Sequence, residues 1–256
     1  MRGVGAYFAR TDLGQWSKSL QEPNSYHKKD RNMNDGFVGD IGDYGKYGLL
    51  RCLLPAAKIR LGVAWIKTLP RAKRSNNVFE YLIATVNQDQ SLADCDLHLY
   101  QHLRDLASTN EPTINDIQDS FVLPNDTLYY SEDLDFRDMP ANGLRAKNAR
   151  LQRRMEWFGD LYDRLEAADL VFFDPDTGLE TPSRGRHTDE GPKYVCYDEL
   201  KPFYDRGQSL IVYQHADRKT KFETAIHERA HGLRRNLGFE TIWFYDGARC
   251  SRGSIS

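Results

Sequence analysis

The chain has 256 residues, 40% of them hydrophobic, and a formal net charge of −2 at pH 7. That length can bury a full core, and the near-neutral charge excludes a global attraction to nucleic acid, while local basic patches stay possible. No segment approaches the roughly 20 apolar residues of a membrane helix, and the first residues lack the apolar core of a signal peptide. Four scattered cysteines without CxxC spacing indicate free thiols. We therefore expect a cytoplasmic protein without a membrane partner.

The first half of the chain predicts a polar lead-in, a helix and a strand. Residues 1–35 are polar and irregular, and we expect a flexible N-terminal lead-in there. From Gly42 to Leu54 apolar residues recur at helical spacing, and Pro55 is expected to end that helix. The apolar run at 60–67 predicts a buried strand. Residues 78–108 read as mostly helical.

The second half alternates strand and helix signals. Strands are predicted at 126–132, 169–176, 209–215 and 240–247, and an arginine-rich helix at 143–168. Further helices are expected between the last three strands, the final one ended by Gly238. Such alternation predicts a single α/β domain over 36–256, with a mainly parallel central sheet covered by helices on both faces. The strands at 61–66, 170–174, 209–214 and 241–245 are expected to be adjacent.

Polar side chains follow two of these predicted strands. The stretch DPDTGLE begins at Asp174, and the run ending in Gln214 and His215 closes another strand. Ligands of open α/β sheets bind beyond the carboxyl ends of strands, so these residues are candidate site residues. A carboxylate followed by proline can accept a hydrogen bond from an amine. The alternative is a plain strand-to-loop turn, because the stretch is rich in turn formers. No second metal ligand stands at diagnostic spacing, so no metal site is predicted.

Two motifs together resemble a known family. The stretch FVGDIGDYGKYGLLRCLL resembles the N-terminal motif of the bacterial 23S ribosomal RNA adenine-N6 methyltransferases, a Gly-Asn-x-x-Asp-x-x-Lys-His pattern that leads into a helix. The positions on that spacing are Gly39, Asp40, Asp43, Lys46 and Tyr47. In the place of the family's Asp-Pro-Pro-Tyr motif stand Asp174 and Pro175, followed by Asp176 and Thr177.

The resemblance implies a three-layer Rossmann-like fold, S-adenosylmethionine as methyl donor, and the exocyclic amine of a nucleic-acid base as acceptor, with RNA favoured over DNA. It also implies residue roles. The implied catalytic residues are Asp174, Pro175 and Lys46. The implied cofactor-binding residues are Asp43, Lys46 and Tyr47. The substrate would be bound by Asp176, Thr177 and His215.

Two other readings stay open. Pro175-Asp176 followed by Glu199-Leu200-Lys201 matches the loose PD-(D/E)xK pattern of Mg²⁺-dependent nucleases, which requires Glu199 and Lys201 on a strand. The apolar spacing around Leu200 indicates a helix instead. The other reading is a non-catalytic Rossmann-like module that binds a nucleotide or a partner protein. It is favoured by the absence of a Gly-x-Gly loop after the strand at 60–67.

Overall fold

The structure is a computed structural model, and it describes residues 4–9, 38–68, 82, 90–109, 112–181, 185–215, 221–239, 242–246 and 251–255. For the strands at 4–9 and 251–255 the backbone alone is described. The polar stretch at 10–37 lies outside these ranges, as do residues 78–81 and 83–89 of the mostly helical segment predicted at 78–108. No helix within the described ranges is long and apolar enough to span a bilayer. Cys52, Cys95 and Cys196 are free thiols.

A seven-stranded sheet forms the centre of the molecule. Its strands are β1 (Val4–Ala9), β2 (Leu61–Ile66), β3 (Leu128–Tyr130), β4 (Leu170–Pro175), β7 (Ser209–His215), β8 (Ile242–Asp246) and β9 (Ser251–Ile255). Apolar runs build the buried strands β2 and β4 within it. The sheet order is β3-β2-β4-β7-β1-β8-β9. The first four strands of that order are mutually parallel. A separate small ladder joins β5 (Gly178–Leu179) to β6 (Tyr194–Val195).

Helices cover both faces of the parallel strands, which gives three layers. They are α1 (Ile41–Ala57), α2 (Gln90–Cys95), α3 (Leu97–Ala107), α4 (Ile114–Gln118), α5 (Leu144–Arg164), α6 (Tyr197–Asp205) and α7 (Phe222–Leu237). Alternate residues of β4 point into two different cores, as period-two strand geometry requires. Leu170 and Phe172 pack against α1 and α3, whereas Val171 and Phe173 pack against α5 and α6. The predicted single-domain Rossmann-like α/β fold with a mainly parallel central sheet is confirmed.

Three sequence expectations need correction. The flexible lead-in expected over 1–35 is wrong for residues 4–9, because β1 pairs antiparallel with β7 on one side and β8 on the other. The strand at 242–246 is therefore not adjacent to β7. Pro55 lies inside α1 rather than ending it. It removes only one helical hydrogen bond, and the helix ends at Lys58, whose backbone N–H bonds to the carbonyl of Leu54.

Other boundaries agree with the sequence. Strand β3 and helix α5 lie within the ranges predicted for them, and α7 ends at Gly238, which adopts the left-handed conformation with φ of 72°. The helical stretch before β3 is split at Asp96, whose carboxylate accepts from the backbone N–H of Leu99 and so begins α3.

A buried arginine of α5 holds the segment between β4 and α6. The Arg154 side chain is 2% exposed and forms an ion pair with Glu199 through two of its nitrogens. It also donates to the carbonyl oxygens of Gly191, at 2.8 Å, and Tyr194, at 2.6 Å. Glu199 in turn accepts from the backbone N–H of Cys196 at 2.7 Å, which begins α6. One guanidinium thus joins three elements.

We expect Arg154→Met to destabilise the fold by about 3–5 kcal/mol, because it leaves the Glu199 carboxylate and two carbonyls without their donor. Urea unfolding followed by circular dichroism measures this. The control is Arg153→Met, at the exposed arginine that directly precedes Arg154 in the same helix. Its free energy of unfolding is expected to change by no more than about 0.5 kcal/mol. Equal midpoints for the two variants would contradict the role given to Arg154.

Candidate functional site

The strand order predicts a ligand crevice at the carboxyl ends of β2 and β4. Both β7 and β8 run antiparallel to β1, so β8 points the same way as the parallel strands. With the antiparallel β1 and β9 left out, β2, β3, β4, β7 and β8 numbered in chain order are arranged 2-1-3-4-5, one of the two common orders of doubly wound sheets. Ligands of such sheets bind at the carboxyl edge, between the first and third strands. Here those strands are β2 and β4, and the Thr68 hydroxyl after β2 donates to Asp176 after β4 at 3.2 Å.

Lys46 of α1 lies at this edge between two carboxylates. Its Nζ is 3.1 Å from Oδ1 and 2.9 Å from Oδ2 of Asp174, and 2.9 Å from Oδ1 of Asp43. The three side chains are 11%, 12% and 8% exposed, respectively. The ammonium also lies 4.3 Å from the centre of the Tyr213 ring, a cation–π arrangement. We call Lys46, Asp43, Asp174 and Tyr213 the lysine cluster.

The start of α1 explains why the opening motif reaches this edge. Asp40 is the N-cap, and its Oδ1 accepts from the backbone N–H of Asp43 at 2.8 Å. In turn, Oδ2 of Asp43 accepts a hydrogen bond from the backbone N–H of Gly39 at 2.8 Å. Two backbone N–H groups at the start of the helix are thus satisfied reciprocally. Gly42 is required by space, because a Cβ there would lie 2.7 Å from the Tyr213 hydroxyl oxygen. The helix start therefore packs directly on β7.

The loop after β4 is fixed by Gln214. Its amide oxygen accepts from the backbone N–H of Leu179 at 2.9 Å, and its amide nitrogen donates to the Thr177 carbonyl at 3.2 Å. Gly178 has φ of 134°, and a Cβ there would lie 2.3 Å from the Gln214 side chain. Backbone bonds from Thr177 N–H to Lys193 and from His215 N–H to Thr177 complete the attachment. Asp176 and Thr177 are thus held at the crevice.

The cluster keeps its lysine charged. Burial disfavours the ammonium, but Asp174 and Asp43 outweigh that penalty and raise the pKa of Lys46. Burial also raises the pKa of Asp174, and the charge of Lys46 opposes that rise. At the helix start, burial and the neighbouring Asp43 raise the pKa of Asp40 to about 6. Lys46 is therefore a fixed cation and not a base near neutral pH.

His215 lies beside the cluster. Its ring contacts Tyr213 edge-on with centroids 4.9 Å apart. It retains exposed surface, yet desolvation by the protein around the ring, together with the charge of Lys46, lowers the pKa of His215 to about 4. Asp176 and Asp43 act in the opposite direction. At neutral pH this side chain is an uncharged imidazole that can accept or donate a hydrogen bond.

The structure brings most of the predicted site residues to one edge, although their roles stay predictions. Lys46 contacts both Asp43 and Asp174, and Pro175 is the last residue of β4, with Asp176 and Thr177 directly after it. Tyr47 is 1% exposed and presents almost no surface to a ligand. Its place is beneath the cluster, where burial and Asp43 raise the pKa of its phenol.

Sequence reasoning missed Tyr213. It lies two residues before His215 on β7, so the period of two places both side chains on the same face of the sheet. Thr68 was also missed, because no motif marks it. The pKa of Tyr213 is raised by burial, against the charge of Lys46. The phenol therefore stays neutral and offers its ring to the ammonium.

The residues of the nuclease pattern do not meet at the crevice. Glu199 and Lys201 lie on α6 and not on a strand. Glu199 is paired with Arg154, and Lys201 Nζ bonds to Asp205 at 2.6 Å. The pattern therefore loses its geometric basis.

Three possible metal ligands come together away from the crevice. They are Glu180, Cys196 and Asp198. Arg186 lies 2.7 Å from Asp198 and 3.7 Å from Glu180, so both carboxylates are already paired with a side-chain cation. Burial raises the pKa of the Cys196 thiol, which disfavours the thiolate that binds metals.

Neither a protein-family model, nor a curated protein, nor a solved structure matches this chain. The fold and the site define the class of protein: a doubly wound α/β protein with an acidic cluster at its switch point.

We expect an NMR titration of the His215 ring to show a midpoint of about 4. Because the folded-state pKa lies below the unfolded value, the stability that this group contributes is present above about pH 6.5 and is lost as pH falls toward 4. Lys46→Met should raise the midpoint, since it removes a nearby positive charge. Lys58→Met, at the far end of α1, should not. An unshifted midpoint in Lys46→Met would contradict the electrostatic account.

Proposed function

We propose that the protein is an S-adenosylmethionine-dependent methyltransferase that acts on the exocyclic amine of a nucleic-acid base, with RNA favoured over DNA. The observation that carries this proposal is the contact between Lys46 and Asp174. These residues belong to the two motifs on which the family resemblance rests, and they are 128 positions apart in the chain. Their meeting at the carboxyl edge of β4 supports the reading of both motifs as one site.

The charge of the site suits a cationic methyl donor. Four aspartates, Asp40, Asp43, Asp174 and Asp176, lie at this edge with Lys46. S-adenosylmethionine carries a positive sulfonium and a positive amino group, and it would supply an electrophilic methyl group. Asp43 and Asp40 at the start of α1 are the residues that would face its charge, with Lys46 fixing the geometry of Asp43. The absence of a Gly-x-Gly loop after β2 means that α1 would carry more of this binding.

Asp174 would orient the acceptor amine. Each carboxylate oxygen has two acceptor sites, so Asp174 can hold Lys46 and accept from an amine N–H at the same time. Asp176 and Thr177 would position the base from the loop. The neutral imidazole of His215 would accept a hydrogen bond from the same amine without repelling a cationic donor.

We expect Asp174→Asn to reduce methyl transfer by about 10²–10³-fold, the scale for loss of one preorganised electrostatic contact. The measurement is transfer from labelled S-adenosylmethionine to bulk RNA, to DNA and to free nucleosides. The variant should also unfold at lower urea concentration, because Lys46 loses one of its two carboxylates. Rates are therefore compared per folded molecule, and calorimetry reports whether the cofactor still binds.

The matched control is Asp169→Asn. This carboxylate precedes β4 at the opposite edge of the sheet, where it accepts from the backbone N–H of Arg60 at 2.7 Å. The change should cost some stability and leave the methyl-transfer rate of the folded protein unchanged. Wild-type protein that neither binds S-adenosylmethionine nor methylates any of these acceptors would refute the proposal.

A further inference from the structure

Helix α5 extends beyond the sheet at the edge that carries the site. It has 21 residues and is therefore about 30 Å long, whereas β4 has six residues and spans about 20 Å. Because α5 leads into β4 through the short connection 165–169, its excess length projects at the carboxyl edge. Consistent with this, Arg150 donates to the carbonyl of His187, in the segment that follows β4.

The charges of α5 are divided along its length. From Leu144 to Met155 every charged residue is an arginine or a lysine, whereas three of the four that follow are acidic: Glu156, Asp160 and Asp163, with Arg164 in the last turn. Arg150 and Arg154 are buried. The exposed cations are Arg145, Lys147 and Arg153, which we call the cationic half of α5.

This order of charges does not stabilise the helix. A helix dipole favours acidic residues at the N-terminus and basic residues at the C-terminus, and α5 has no acidic residue in its first turn. Among the described residues, the side chains of Arg145, Lys147 and Arg153 form no hydrogen bond or ion pair, whereas the nearby carboxylate of Asp189 is paired with Arg150 at 2.9 Å. Neither helix stability nor an internal ion pair therefore accounts for these three cations.

The acidic site next to this helix requires a separate anchor for phosphates. Asp43, Asp174 and Asp176 would repel a phosphate group from the crevice itself. A base that reaches Asp174 leaves its own phosphates outside, on the rim of the carboxyl edge. The cationic half of α5 lies on that rim and has the complementary charge.

We propose that the cationic half of α5 binds the phosphate backbone of an RNA strand whose target base enters the crevice. This inference rests on the proposed function, and it names a strand rather than a free nucleoside as the substrate. Phosphate contacts of this kind position a nucleic acid without reading its sequence.

The test is fluorescence anisotropy with a labelled mixed-sequence RNA strand of about 12 nucleotides, over a range of salt concentrations. We expect the double variant Arg145→Gln/Lys147→Gln to bind about tenfold more weakly at about 0.1 M salt. The slope of log affinity against log salt should become shallower by about 1.4, since each single-strand phosphate contact contributes about 0.7. Both side chains are exposed, and circular dichroism should show an unchanged fold.

The matched control is Lys58→Gln/Arg235→Gln, which removes the same charge at the opposite edge. Lys58 caps the C-terminus of α1, and Arg235 lies in the last turn of α7. RNA affinity should be unchanged. Equal losses in the two double variants would show a general charge effect and overturn the proposal, as would wild-type affinity in Arg145→Gln/Lys147→Gln. Tighter binding of a DNA strand of the same sequence would overturn the choice of RNA.

Two further measurements separate this inference from the proposed function. Calorimetry with S-adenosylmethionine and methyl transfer to a free nucleoside should be unaffected in Arg145→Gln/Lys147→Gln, because neither ligand reaches the rim. The wild-type protein could show no methyl transfer while Arg145→Gln/Lys147→Gln still binds RNA more weakly than the wild type does. That result would refute the methyltransferase proposal and support the RNA-binding surface.

Discussion

The buried ammonium of Lys46 is the constraint on which the site depends. Taking an ammonium out of water costs several kcal/mol, and only well-placed carboxylates offset that cost. Asp43 lies on the same helix and Asp174 lies near the carboxyl end of β4, so the ion cluster joins α1 to the sheet at one point. The helix cannot slide along the sheet without leaving a buried charge unpaired. The position of the opening motif therefore follows from electrostatics as much as from apolar packing.

The same cluster limits what Asp174 can do. Both of its oxygens already bond to Lys46, and the charge of Lys46 opposes the rise in the pKa of Asp174 that burial causes. A carboxylate held in an ion pair can orient an amine but has no proton to donate to it. His215, beside Tyr213, is uncharged at neutral pH because desolvation and the charge of Lys46 lower its pKa to about 4, so it is not a proton donor there. The chemistry that this arrangement favours is orientation and charge stabilisation rather than acid catalysis.

The sequence predicted the parallel strands because their apolar runs are continuous and buried, as in VAWI of β2 and LVFF of β4. It did not predict the insertion of β1 between β7 and β8, because that pairing joins opposite ends of the chain. Lys46 and Asp174 could be placed at one edge from topology alone, but Tyr213 could not, since its aromatic ring in an apolar strand reads as core. Arg154 shows the same limit: an arginine-rich helix looks solvated until Glu199 is found opposite the buried Arg154.

The crevice and the rim carry opposite charges, and this separation bears on the kind of ligand that both together would select. A cationic small molecule is attracted to the aspartates, whereas a polyanion is attracted to α5 and repelled from the crevice. A ligand satisfying both must be a polyanion that presents an uncharged group, such as a base, away from its phosphates. The charge pattern therefore favours a flexible strand with a base turned out of it.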